Sequence, residues 1–396
     1  MIDSVTLIEP TNEKDWAETP PSIPLGLASL AAYLIERGVK VHTCDLGLGE
    51  SVQEADWYGI TARITSRSSV KTLRRLNGEI VFGGPDPSAD PDYYLEIGKY
   101  VIRGEGEKAL FDLINHVEPS NISNLSYKTQ SGFQHNVKGP LLDMNELPLP
   151  AYELFDIMKY ADIYEKSKGI RWLPIVLSRG CPYNCFFCAH GCIFGISWRA
   201  PMPDKAVDAI EKLIDLGDLE GLHIGDSLFG FSREWSEAVC KEIIQRKLNF
   251  KWFCYMRADS ISPTLLTFMK KAGCVAIDYG LESGSQKRLD SMNKQITVEA
   301  GRRAVELTER NGIIPILSFV IGTPGEVEDE LEETEDFWNG LLDKYDCVIV
   351  PSIYYPLKTS TFYKRYGEQM SEISRERLYE SVNRVKYRMN EKYGEH

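Results

Sequence analysis

Short apolar runs alternate with amphipathic stretches along most of the chain. Residues 5–8, 39–43, 57–60, 79–82 and 100–102 read as strands, because each is a brief run of apolar, mostly β-branched or aromatic residues bounded by turn residues. Residues 24–37 carry apolar side chains at helical spacing and stop at Gly38, which predicts a helix between the first two strands. Such alternation predicts a parallel, doubly wound α/β sheet. Ligands of these sheets sit beyond the carboxyl ends of the strands, where Gly83-Gly84-Pro85 and Gly104-Glu105-Gly106-Glu107 fall. Taken singly, each glycine pair is a turn as readily as a binding loop.

A second series of βα units follows. Residues 173–177 read as a strand entering a cysteine-rich loop, and residues 205–214 have helical spacing. Strands at 221–224, 250–255, 275–279 and 315–321 lead into Gly225-Asp226-Ser227, Arg257-Ala258-Asp259, Gly280 to Gly284, and Gly322-Thr323-Pro324-Gly325-Glu326, with a last strand at 347–350. Repeated units of this kind put their chemistry on loops at the carboxyl ends of strands. The acidic run 326–336 is expected as a solvated helix face, and residues 375–392 as a C-terminal helix. Between the two series, the prolines of residues 142–152 suit an extended connector.

Composition narrows the class. A chain of 396 residues with 43% hydrophobic content has room for two domains with full cores. No apolar run reaches the roughly 18 residues of a membrane span. A formal net charge of −13 argues against a broad basic surface for nucleic acid. Nine cysteines, an odd number, and the polar start Met1-Ile2-Asp3-Ser4 point to a reduced, cytoplasmic protein rather than a disulfide-bonded one.

Cys181, Cys185 and Cys188 carry the chemistry. The spacing C-x3-C-x2-C lets three thiolates hold a [4Fe–4S] cluster and leaves the fourth iron open to a small molecule. A zinc site using Cys192 or His190 as a further ligand is the alternative. Cys44, Cys240, Cys254, Cys274 and Cys347 lie in apolar contexts and read as buried small hydrophobes. His223, in a strand, is a candidate for proton movement, while Tyr354, Tyr355 and Tyr363 either line a pocket or pack.

The cysteine loop, with Phe187 just before its third cysteine, resembles the signature of the radical S-adenosylmethionine (SAM) superfamily. The ordered set Pro24-x-Gly26, Gly38-x-x-Val41-x-x-x-Asp45, Phe82-Gly83-Gly84-Pro85 and Arg103-Gly104-Glu105-Gly106-Glu107 resembles the cobalamin-binding domain that precedes the barrel in many of its members. The resemblance implies a reduced, Rossmann-like cobalamin-binding domain over residues 1–140 and a linker over 141–165. A partial (β/α)6 TIM barrel over 166–360 and a helical extension over 361–396 complete the implied fold. It further implies three cofactors: a [4Fe–4S] cluster on Cys181, Cys185 and Cys188, SAM, and cobalamin. Phe187, Gly225, Asp226, Ser227, Glu282, Ser283, Gly322 and Pro324 match positions that contact SAM in the family. Arg257 is a further candidate, for the SAM carboxylate, because a guanidinium grips a carboxylate by two parallel hydrogen bonds. Pro24, Gly26, Gly83, Gly84, Gly104 and Glu105 match the cobalamin side. The run Asp-x-His-x-x-Gly, which supplies a lower cobalt ligand in many relatives, does not occur here, so that ligand is unassigned, as are catalytic residues.

The implied activity is methyl transfer from methylcobalamin to an unactivated sp3 carbon after hydrogen abstraction by a 5′-deoxyadenosyl radical, supported by a low-potential electron donor. The substrate is a protein residue, a peptide or a small molecule. The compact, acidic build resembles small archaeal enzymes that C-methylate residues of methyl-coenzyme M reductase, glutamine among them. Cyclisation or ring rearrangement of a metabolite stays open, as does a non-catalytic iron–sulfur protein.

Overall fold

The computed structural model describes residues 3–12 and 21–394. The chain divides into two compact units, residues 1–177, 192–195 and 199–221 in the first, and residues 178–191, 196–198 and 222–396 in the second.

The first unit is built on strands β1 (Ser4–Glu9), β2 (Lys40–Asp45), β3 (Trp57–Thr61), β4 (Glu79–Gly83), β5 (Tyr100–Ile102), β6 (Leu125–Thr129) and β7 (Gly132–His135), in the order β2-β1-β3-β4-β5-β6-β7. The first five strands run parallel. Buried on both faces, they need continuous apolar runs, and Leu7, Ile8 and Phe82 are fully sealed. The chain passes from β1 to β2 and then crosses back to β3, so strand order reverses beside β1 and opens a crevice at the carboxyl ends of β1 and β3. Gly84 (φ +98°) leaves β4 here, and a Cβ on it would lie 2.6 Å from Thr61 Oγ1 and 3.1 Å from the Ala62 backbone. Two strand exits therefore touch backbone to backbone, which only glycine permits.

Two features depart from the pattern read in the sequence. β6 and β7 add an antiparallel hairpin at the sheet edge; β7 has no buried side chain, so it lacks the hydrophobic alternation that marks a strand. The connector after the first sheet ends in a helix, Ile157–Lys168, capped by Asp156, which accepts from Lys159 N, and stopped at Gly169 (φ +74°). Tyr160 on this helix donates its hydroxyl to Asp45, tying the helix to the end of β2.

The second sheet has six strands in sequential order: β8 (Trp172–Ile175), β9 (Gly221–Ile224), β10 (Lys251–Met256), β11 (Cys274–Glu282), β12 (Ile314–Ile321) and β13 (Val348–Ile353). Helices Arg233–Gln245, Pro263–Lys271, Val298–Arg310 and Glu328–Lys344 alternate with the strands from β9 onward. Strand residues alternate in burial: Trp252, Cys254, Ile277, Tyr279, Leu317 and Phe319 are sealed, whereas Phe253, Tyr255, Asp278 and Ser318 keep some exposure.

The acidic run is more than a solvated face. Glu326 is buried and accepts the Gly322 and Thr323 amides at 2.7 and 2.9 Å; Glu330 is buried against Arg288 at 2.6 Å. Glu335 meets Arg377 of the C-terminal helix, Arg375–Tyr393, at 2.9 Å. These carboxylates face the Gly322 loop, Arg288 and the C-terminal helix, partners that the charge pattern of the run itself does not reveal. Cys44, Cys240, Cys254, Cys274 and Cys347 are buried. Among the described residues no helix is long and apolar enough to cross a membrane.

Candidate functional site

The cysteine loop leaves the sheet through Ser178 and turns at Gly180 (φ +89°). Cys181 and Cys185 are half-buried, Cys188 reaches solvent, and all three are free thiols. The loop is pinned from several sides. Cys188 N donates to Cys185 O at 3.1 Å, Phe186 N to Met292 O at 2.8 Å, and Asn293 Nδ2 to Asn184 O at 2.8 Å. The three thiols feel one another. The surrounding protein pushes the Cys188 thiol up to about 11, the His190 amide at its sulfur opposes this, and Cys185 and Cys181 add to the rise. Yet among the described residues no three His, Cys, Asp or Glu side chains converge on a single-ion position.

Glu282 is brought to this loop by a change of register on β11. Gly280 pairs with Ser318 and Glu282 with Phe319, so one extra residue on β11 bulges and re-aims the strand end. Glu282 sits at φ +67° with its carboxylate 2.7 Å from Lys294 Nζ, both side chains buried. Gly280 makes room, since a Cβ there would lie 2.3 Å from Glu282 Oε1. The Cys185 thiol is raised by burial and lies close enough to Lys294, Glu282 and Arg257 for each to act on it. Cysteine loop, Glu282 and Lys294 are thus one site.

Other residues singled out by sequence take bracing positions. Asp226 is fully buried and accepts the Ser178 hydroxyl at 2.6 Å, holding the base of the cysteine loop. Ser227, after Gly225 on the same loop, is within hydrogen-bond distance of the His190 ring. Arg257 lies over the Tyr183 ring, 3.6 Å from its centroid, donates to both oxygens of Asp259 at 2.9 and 2.8 Å, and caps the Lys294 and Gln295 carbonyls at 2.8 and 3.1 Å. Four of its five N–H donors are committed, so a bidentate grip on another carboxylate requires release of Asp259. Ser283 is buried against Thr334 at 2.9 Å. Gly322 donates to Glu326, and Pro324 O accepts from Arg288 at 3.1 Å. Phe187 packs against the small cluster of Met292, Tyr354 and Phe362, while Tyr355 is exposed.

In the first unit, Pro24 precedes the helix Leu25–Glu36 and Gly26 has open space where a Cβ would point. Gly83 and Gly84 end β4, and Gly104 N donates to Ser88 Oγ at 2.9 Å. Glu105 is committed elsewhere: its carboxylate meets Arg199 at 3.1 Å and accepts Leu142 N at 3.0 Å. Sequence reading passed over Glu9, at the carboxyl end of β1. It pairs with Arg63, its Oε2 is buried without a partner among the described residues, and burial, partly offset by Arg63, raises it to about 7. Its place as the last residue of the first strand was the available signal; Lys294 left none.

Residues 175–337 match the family model described as the radical SAM superfamily. An uncharacterized methyltransferase of Pyrococcus horikoshii is 28% identical over 340 residues, 79% of this chain and 72% of the relative. The anaerobic magnesium-protoporphyrin IX monomethyl ester cyclase of Rubrivivax gelatinosus is 27% identical over 284 residues, 68% of this chain but 49% of the relative. Among solved structures, the radical SAM methyltransferase TsrM from Kitasatospora setae, with cobalamin and a [4Fe–4S] cluster bound, superposes with a TM-score of 0.76 at 19% identity, covering 91% of this chain and 74% of TsrM. The matched segment spans the cysteine loop, Glu282 and the Gly322 loop, so residues 175–337 carry a radical SAM domain, and the chain shares its fold with TsrM.

Proposed function

We propose that the chain is a cobalamin-dependent radical SAM methyltransferase that places a methyl group on an unactivated sp3 carbon of a peptide-borne residue, with glutamine of methyl-coenzyme M reductase as the first substrate to test. The observation that carries the reading is the convergence of the free thiol Cys185 with the fixed carboxylate Glu282 and with Lys294. When bound, a cluster on Cys181, Cys185 and Cys188 would supply the electron that cleaves SAM, and cobalamin would supply the methyl group.

The residues present fit these groups. Three neighbouring thiols are the donor set of a site-differentiated cluster, and a multiply charged metal centre offsets the burial that raises the pKa of Cys185 and Cys188. Glu282 offers SAM a carboxylate whose direction Lys294 fixes, and Asp226 and Ser227 keep the loop from drifting. At the carboxyl ends of β1, β3 and β4, glycine backbone and the unpartnered Glu9 oxygen suit the amide-rich rim of cobalamin. The fold shared with cobalamin-bound TsrM supports that assignment. The cyclase relative favours a second reading, ring closure on a metabolite, and the chain spans about half of that relative's length.

Anaerobic reconstitution with iron, sulfide, cobalamin and methyl-labelled SAM separates the readings. Methylation yields labelled peptide with both 5′-deoxyadenosine and S-adenosylhomocysteine. Ring chemistry yields 5′-deoxyadenosine without S-adenosylhomocysteine, and a protein that cleaves no SAM when reduced is not an enzyme of this kind.

A further inference from the structure

The less buried face of the second sheet carries aromatic and polar side chains that the proposed reaction leaves unused. Register places Tyr255 on β10 beside Asp278 on β11. His223 on β9 stacks on Phe253 with ring centroids 4.2 Å apart and planes 7° apart, and meets Tyr255 edge-on at 4.9 Å. Its Nε2 is buried with no hydrogen-bond partner among the described residues. Ser318 on β12 donates its hydroxyl to Asp278 Oδ1 at 2.8 Å.

A purely structural interior would be apolar here, as the opposite face of the same strands is. An orphaned imidazole nitrogen and a partly buried carboxylate each carry a desolvation cost that a ligand can relieve. Among the described residues the donor on Asp278 is Ser318, whereas a carboxylate accepts about four hydrogen bonds. Burial keeps His223 neutral, lowering it to about 4, and raises Asp278 to about 6, so the carboxylate is still mostly ionised at neutral pH. Asp278 also lies within electrical reach of Glu282 and Lys294, on the same strand as Glu282 and about 10 Å deeper by the rise of a β-strand.

We infer that this layer is the substrate floor of the site: the ring wall of His223, Phe253 and Tyr255 takes the carbon skeleton, and Asp278, positioned by Ser318, accepts the N–H donors of a carboxamide. The inference rests on the methyltransferase reading and narrows its substrate class. Beside Asp278 a second carboxylate, Glu282, is already paired with Lys294, and the Arg257 guanidinium is engaged by Asp259, so a substrate carboxylate meets like charge where a carboxamide meets an acceptor.

The test uses reconstituted wild type, Asp278→Asn and Ser318→Ala. Without substrate, SAM affinity and slow release of 5′-deoxyadenosine are expected to fall by less than about tenfold in both variants, the larger change being in Asp278→Asn, whose lost charge is felt by Glu282 and Lys294. A tenfold loss would assign the layer to SAM and overturn the inference. Binding and methylation are then measured with a synthetic peptide carrying the reductase glutamine and its glutamate counterpart. Wild type is expected to prefer glutamine by on the order of 100-fold, Asp278→Asn to bring the preference down to a few-fold, and Ser318→Ala to weaken peptide binding about tenfold. An unchanged preference in Asp278→Asn overturns the inference, as does a wild type that binds neither peptide. A wild type that binds the glutamine peptide through Asp278 without methylating it supports the floor and overturns only the methyltransferase reading.

Discussion

Gly280→Ala separates the fold of the second unit from its chemistry. A Cβ at Gly280 would sit 2.3 Å from Glu282 Oε1 and 2.9 Å from Lys294 Nζ, far inside van der Waals contact. The carboxylate must therefore retreat by about 1 Å. Both obstructing atoms are tips of flexible side chains rather than backbone, and Gly280 is not among the positive-φ residues, so alanine fits the strand otherwise. Off-rotamer adjustment costs about 0.5–1.5 kcal/mol. Stretching a buried ion pair, 2.7 Å long with side chains 7% and 9% exposed, brings the total to about 2 kcal/mol, a fall in Tm of about 4–8 °C. Misplacing a positioned group by about 1 Å costs on the order of 100-fold in rate. The protein should thus fold and keep its iron while cleavage of SAM to 5′-deoxyadenosine, followed by chromatography under dithionite, drops about 100-fold. Gly284→Ala is the contrasting variant. Its Cβ would meet Phe337 Cβ at 2.5 Å and the Glu333 carbonyl oxygen at 2.7 Å, so stability rather than chemistry should suffer. A Gly280→Ala protein that holds its cluster and cleaves SAM within threefold of wild type would refute the assignment of Glu282.

Three further outcomes follow from the same geometry. Cys188→Ala should lose both bound iron and SAM cleavage, whereas Cys192→Ala should keep both; equal iron in the two proteins by colorimetric assay would return the loop to a structural role. Glu9 has a folded-state value of about 7, above its ordinary 4.5, so its protonated form is favoured by folding and stability falls as pH rises through that window. Glu9→Gln should therefore gain about 2 kcal/mol relative to wild type between about pH 5.5 and pH 8.5, and a pH-independent difference in denaturant midpoint would contradict the burial argument. Arg257→Lys keeps the charge but loses the planar fork that holds Asp259 and caps the Lys294 and Gln295 carbonyls; SAM cleavage should fall at least about tenfold with iron content unchanged, and wild-type cleavage would show that these caps do not position Lys294.

The parallel strands were legible because each, buried on both faces, must be a compact apolar run, and the glycines that follow them mark the strand exits. β7 was not, because only Phe133 on it packs against the core, too little for an alternating pattern, and its main signature is the turn before it. The helix Ile157–Lys168 was hidden by the prolines upstream of it, and its stability comes partly from the Tyr160 hydroxyl on Asp45, a contact between residues far apart in sequence. The cysteines were legible as a spacing, and Glu282 as part of a glycine-bracketed run. Lys294 was illegible for a physical reason: it reaches Glu282 from the turn between two helices, with Asn293 and Gln295 on either side in left-handed backbone (φ +51° and +58°), and no periodicity marks such a turn.

The divergence between motif and geometry also has a physical origin. Asp226, Ser283, Arg257, Glu105 and Glu326 each lie in a strand-exit run that sequence reading assigned to ligands, and each directs its polar atoms mainly into the protein. A loop at the end of a parallel strand has lost its ladder, so its amides and carbonyls need new partners before the loop can hold anything still. Glu326 shows how this is met: one carboxylate oxygen takes two consecutive amides and a hydroxyl of the Gly322 loop. Motif residues at such exits therefore divide into those that shape the loop and those that face the ligand, and burial together with hydrogen-bond partners tells them apart. By that criterion the Glu282 carboxylate, held by a lysine, the three thiols and Asp278, with one serine donor, are among the groups of the second unit that keep capacity for a bound molecule.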